Sequence, residues 1–120
     1  MIRKIIVLSL VSIFVFGGTS CAIGESSLYS WDQYENVTYN FTKDPSDNNR
    51  EKLIACYDKI ILKQKGTRKT VPPGMYAEKA FILIGQNKKQ EAIELLNQEM
   101  VLYPESKSFI EKIISQLNKE

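Results

Sequence analysis

From Leu28 onward, apolar residues recur at helical intervals and the recurrence is broken by punctuation at four places, a pattern that predicts an all-α chain of about five helices. Leu28, Trp31, Tyr34, Thr38 and Phe41 fall three and four apart, which predicts an amphipathic first helix with Ser26 or Ser27 as its N-cap. The β-branched and aromatic run Val37-Thr38-Tyr39-Asn40-Phe41 also allows an extended segment. Lys43 to Asn49 reads as a turn, and a second helix starts near Ser46 or Asp47. In it Leu53, Cys56, Tyr57, Ile60 and Ile61 mark one face, Arg50, Glu51, Asp58 and Lys59 the other, and Gly66 is the expected stop. Pro72 and Pro73 cannot continue a helix but suit the entry to a new one, expected from Gly74 to Gln86. Asn87 tolerates the left-handed conformation at its end. A fourth helix, Lys89 to Tyr103, turns Ala92, Ile93, Leu96 and Met100 inward and is ended by Pro104. A fifth begins near Ser106, with Phe109, Ile110, Ile113, Ile114 and Leu117 along one side.

The third and fourth helices carry a finer signal. Counting from Pro73 as the first of 34 positions, Ala80 falls eighth, Leu83 eleventh, Ala92 twentieth, Leu96 twenty-fourth and Pro104 thirty-second. These are the small and large packing positions of a tetratricopeptide repeat, in which two small residues let antiparallel helices approach closely and two leucines fill the space beside them. Glu99 departs from the pattern by standing where a small residue belongs. The fold expected is therefore antiparallel helical hairpins of tetratricopeptide-like type. In such a hairpin the binding groove is lined here by Gly74, Ala77, Phe81, Ile84 and Gly85, an apolar face that must be covered. The first or last helix of the same chain is the favoured cover, with a partner peptide or a second copy as the alternatives. If a partner binds, Trp31, Tyr34, Tyr76, Phe81 and Ile84 are the candidate anchors, since aromatic side chains carry much interface energy.

Residues 1–20 change the picture of where the domain works. A basic start at Arg3 and Lys4, an apolar run from Ile5 to Phe16 and the small residues Gly17-Gly18-Thr19-Ser20 are the three regions of an export signal. The apolar run is too short for a comfortable membrane span. Cys21 directly after it resembles the lipobox of bacterial lipoproteins, which implies acylation of its thiol, although Gly18 stands where leucine is usual. Residues 21–27 then form a tether and 28–120 the helical domain. Ala22, not Asp, follows the cysteine, which by the enterobacterial sorting pattern implies the outer membrane, periplasmic face. An ordinary cleaved secretory signal and an uncleaved anchor are the alternatives.

Composition narrows the chemistry. Of 16 basic residues Arg3 and Lys4 lie in the signal, leaving 14 against 14 acidic ones, so the remainder is neutral. Neutrality argues against capture of nucleic acid and against a strong anionic-lipid footprint. A patch of Lys63, Lys65, Arg68 and Lys69 is basic enough to touch lipid head groups, but a solvated helix end whose cations suit the helix dipole is the favoured reading. With no histidine, Cys56 has no base to activate it, and neither a metal site nor a cofactor is expected. Cys56, left single once Cys21 is acylated, is expected in the core. The expectation is a chain that is not an enzyme; the alternative is an envelope enzyme acting on peptidoglycan or glycan through carboxylates such as Glu91 and Glu94. Asn36-Val37-Thr38 and Asn40-Phe41-Thr42 match a glycosylation pattern by coincidence in a bacterial context.

The whole chain resembles a family of small bacterial lipoproteins containing domain of unknown function 4810. The resemblance is carried by Leu28-Tyr29-Ser30-Trp31-Asp32-Gln33-Tyr34, by Val71-Pro72-Pro73-Gly74-Met75-Tyr76-Ala77-Glu78, by Glu91-Ala92-Ile93 and by Tyr103-Pro104-Glu105-Ser106. Lys79-Ala80 and Asn87 depart from it, each at a habitual glycine. The resemblance implies an accessory partner of two other lipoproteins, one of them similar to the curli secretion channel subunit, and carries over no catalytic residue.

Overall fold

A computed structural model describes residues 27–119. The expected signal, the acylated Cys21, the cap at Ser26 and nearly all of the tether lie outside the described residues. Within them the chain is all-helical, with no strand: α1 (Tyr34–Lys43), α2 (Asp47–Leu62), α3 (Met75–Gly85), α4 (Lys89–Leu102), a 3₁₀ turn (Pro104–Ser106) and α5 (Lys107–Leu117).

Local chemistry accounts for most boundaries. Ser46 caps α2 by accepting the Asn49 amide at 3.5 Å, and the Asn49 side chain donates back to the Asp44 carbonyl at 2.9 Å. Gly74 enters α3 at φ 91°, a left-handed conformation that a β-carbon would strain. Asn87, at φ 60°, closes the turn into α4.

Two expectations fail at the first hairpin. The first helix begins at Tyr34, not at Leu28, because Asp32 sits at φ 49° and the backbone before it is held elsewhere. Gly66 does not stop α2, which ends four residues earlier at Leu62. Its smallness serves a close approach: a β-carbon there would lie 2.3 Å from the Leu28 carbonyl oxygen and 2.4 Å from the Tyr29 Cα. The extended alternative for Val37 to Phe41 is also excluded, since these residues lie inside α1.

Each helix backbone packs against its neighbours in sequence: α1 on α2, α2 on α3, α3 on α4, and α4 on α5 and the 3₁₀ turn. Two core clusters result. The first joins Leu53, Cys56, Tyr57 and Ile60 of α2 to Val71 and Met75, with Tyr34, Val37 and Phe41 of α1 packed over it. In the second, Ala80 and Leu83 of α3 meet Ala92 and Leu96 of α4 and Ile110 of α5. Ala80 and Ala92 are fully buried, as their close-approach role requires. The α5 stripe is Ile110, Ile113, Ile114 and Leu117. Phe109 was expected on it but is 64% exposed, because one residue before Ile110 lies about 100° round the helix.

Candidate functional site

Three of the four segments that carry the family resemblance, at Leu28–Tyr34, Val71–Glu78 and Tyr103–Ser106, lie far apart in sequence, and the fold ties them together with polar contacts. The first, Leu28 to Tyr34, docks on the loop after α2. Thr67 N–H donates to the Ser27 carbonyl at 3.1 Å and Arg68 N–H to that of Leu28 at 3.2 Å. Gln64 grips Ser30 from both ends: its Oε1 accepts from the Ser30 amide and hydroxyl, and its Nε2 donates to the Ser30 carbonyl at 3.2 Å. The Arg68 guanidinium lies 5.7 Å from the Tyr29 ring centroid and donates to its hydroxyl at 2.9 Å.

Glu78 of α3 is the second junction. Its carboxylate accepts from Tyr34 of α1 at 2.8 Å and from Tyr57 of α2 at 3.0 Å, so one side chain bridges three helices. Burial first, then the hydrogen bond and charge of Glu78, push Tyr34 up to about 12. Burial and the same charge push Tyr57 further up. Both phenols therefore hold their protons more tightly folded than unfolded, so their share of stability is fully present below pH 10 and is lost as pH rises through about 12. We expect the thermal midpoint to fall on alkaline titration above pH 10, and the Tyr34→Phe/Tyr57→Phe double variant to show a shallower fall from a lower starting value. Equal slopes in the two proteins would remove the tyrosines from the alkaline loss.

The third junction uses the residue that broke the repeat. Glu99 of α4 is only 3% exposed, and its Oε1 accepts the Gly74 amide at 2.6 Å. Its Oε2 is buried with no hydrogen-bond partner among the described residues. Four residues on, the Tyr103 hydroxyl donates to the Val71 carbonyl. The Val71-to-Glu78 segment is thus held at one end by Glu99 and Tyr103 and at the other by Tyr34 and Tyr57.

The five candidate anchors are divided among these surroundings. Trp31 is 41% exposed and packs at 5.5 Å, ring centroid to centroid, on Tyr34, itself committed to Glu78. Tyr76 is half-buried against the first core cluster and Ile84 against the second. Phe81 is 44% exposed on α3, and neither α1 nor α5, the expected covers, packs its backbone on that helix. Sequence reasoning did not single out Gln64, met Arg68 only as part of a basic patch, and met Glu78 only as the last residue of a family motif, with no partner for either. Glu99 announced itself only as a misfit in the repeat.

Cys56 is buried, with no disulfide among the described residues, and burial, then the Asp32 charge, raise its thiol away from the reactive thiolate. Glu91 and Glu94 are exposed on the rim of a cleft of about 270 Å³ with Lys79, Leu83, Leu95 and Gln98. A larger cleft of about 380 Å³ lies between the docked N-terminal segment and the end of α2, lined by Ser30, Asp32, Lys59, Ile60, Lys63 and Lys65. Among the described residues no group of three or more acidic, cysteine or histidine side chains is placed to hold a metal. No described helix is long and apolar enough to cross a membrane.

No curated protein and no solved structure matches the chain. Residues 28–113, well over half of the sequence, match the family model described as Domain of unknown function (DUF4810), a span that runs from the docked N-terminal segment into α5 and includes the three polar junctions described above. The chain belongs to that family of domains of unknown function.

Proposed function

We propose that the protein is a non-enzymatic outer-membrane lipoprotein, acylated at Cys21, whose tetratricopeptide-like helices act as a scaffold or accessory partner for other lipoproteins in an envelope or secretion complex. The observation that carries this reading is on α3, where Ala80 and Leu83 are buried against α4 while Phe81, between them, stands 44% exposed. A half-exposed phenylalanine offers the kind of aromatic surface that anchors protein contacts and no group that could do chemistry. The packing of each helix on its sequence neighbours supports a tetratricopeptide-like hairpin series. Export is supported by residues 1–20 and acylation by the position of Cys21.

Two measurements test it together. Cys21→Ala is expected to move the protein from the membrane fraction to the soluble periplasmic fraction with its helical content intact; continued membrane fractionation argues against the anchor. Purification of the unaltered protein from membranes in mild detergent is expected to bring down one or more envelope lipoproteins in fixed ratio. Recovery of the protein alone, under several extraction conditions, counts against the scaffold.

A further inference from the structure

We infer that the end of the domain formed by the α2 terminus and the loop after it is a membrane-facing surface that takes the phosphates of anionic phospholipid head groups. The inference rests on the lipid anchor proposed above. Between Asp58 and Glu78 the chain has no acidic residue, and it carries Lys59, Lys63, Lys65, Arg68 and Lys69. The neutrality of the mature chain is therefore a sum of two unequal parts, a cationic end and an acidic remainder. Of the five cations, Lys59 is offset by Asp32 at 3.5 Å, and none of the other four takes part in an ion pair among the described residues.

The helix dipole accounts for Lys59 and Lys63, which lie at the α2 terminus, and not for Arg68 and Lys69, which lie beyond it in the loop. What these residues share is position relative to the chain's entry. Ser27 and Leu28 are hydrogen-bonded to Thr67 and Arg68, so the domain is entered at the cationic loop itself. Cys21 lies six residues before Ser27, and six residues span about 20 Å at most. An acylated Cys21 then fixes this loop, more than any other surface with known tether length, close to the bilayer. The cleft of about 380 Å³ is lined by Lys59, Lys63 and Lys65, with the Asp32 carboxylate offset by Lys59 and the Ser30 hydroxyl committed to Gln64, so the two ammonium groups of Lys63 and Lys65 are the donors it offers to phosphate oxygens.

The chain's single tryptophan reports on this end: Trp31 packs at 6.1 Å on Tyr29, which lies under Arg68. The full-length protein, purified from membranes, is reconstituted on vesicles of phosphatidylcholine alone or with phosphatidylglycerol, and Trp31 quenching by a head-group spin label is recorded. Quenching is expected to be at least about twofold stronger with phosphatidylglycerol and to collapse in roughly 1 M chloride. It is also expected to collapse in Lys63→Gln/Lys65→Gln/Lys69→Asn, whose Asn keeps the φ of 50° at position 69 and whose fold is checked by circular dichroism. Equal quenching in the two proteins, or on the two vesicle types, overturns the inference while leaving the anchor standing. Flotation with phosphatidylglycerol vesicles only overturns the anchor and supports the cationic surface. Relief of quenching by inorganic phosphate but not by chloride at equal ionic strength would assign the cleft to a free phosphate and overturn the membrane-facing reading.

Discussion

Replacing Glu99 by alanine is expected to lower the stability of the domain by about 3 kcal/mol, whereas Glu99→Gln should cost less than about 1 kcal/mol. Alanine removes the acceptor that holds the Gly74 amide at 2.6 Å, strands that donor at the start of α3, and leaves a void in a position only 3% exposed. Glutamine keeps an oxygen of the same reach on Gly74 and replaces the second carboxylate oxygen, which has no partner, by an uncharged amide. Urea unfolding of the two variants, followed by far-ultraviolet circular dichroism, separates them. An alanine variant as stable as the glutamine one would show that the contact does not hold the Pro72-Pro73-Gly74 turn.

Gly66→Ala should be the other severe change, costing about 2 kcal/mol and acting through the docked N-terminal segment. The new methyl group meets the Leu28 and Tyr29 backbone at 2.3 and 2.4 Å, a contact that no side-chain rearrangement relieves. Leu28 to Ser30 must move off the loop, which breaks their contacts with Gln64 and Arg68 and changes the surroundings of Trp31. Gly85→Ala is the control, with nothing within 4 Å of its β-carbon at the end of α3, and is expected to be neutral or stabilising by about 0.5 kcal/mol. Thermal midpoints and Trp31 emission are the readouts. A Gly66→Ala variant with unchanged emission and midpoint would mean that the segment is not held there.

Helix boundaries set by nearby residues were legible in the sequence. Ser46, Gly74, Asn87 and Pro104 act on backbone within a few positions of themselves, and the helices start and stop beside them. The alternation of small and large residues at Ala80, Leu83, Ala92 and Leu96 likewise described the α3–α4 contact, because packing at a helical spacing is a local property of each partner. Leu28 to Gln33 was misread because its helical spacing is genuine, but its conformation is decided more than thirty residues away, by Gln64 and the loop after it. Gly66 was misread for the same reason, its real neighbour being the Leu28 backbone.

The polar junctions were the least legible part of the site. Glu78 reads as an ordinary surface acid in α3 until Tyr34 and Tyr57 are seen to converge on it from two other helices. Glu99 was visible only as an acid where the repeat wants a small residue, with nothing nearby in sequence to name Gly74 as its partner. Among the anchors, composition could not separate Tyr34, which is tied to Glu78, from Trp31, which stays partly open beside it. Exposure depends on which helices lie across which: α1 and α5 reach α3 through Tyr34 on Glu78 and Ile110 beside Ala80 and Leu83, but neither backbone lies across the helix, and Phe81 stays 44% exposed.

Site-specific photo-cross-linking in living cells, with the reactive residue at Phe81 and a matched control at the exposed Asn97, tests the proposed partnership most directly. The expected result is a single discrete adduct from position 81, joining the chain to an envelope lipoprotein, with little or none from position 97. No protein adduct from position 81, with the variant folded and present at normal levels in the membrane, would contradict the scaffold role.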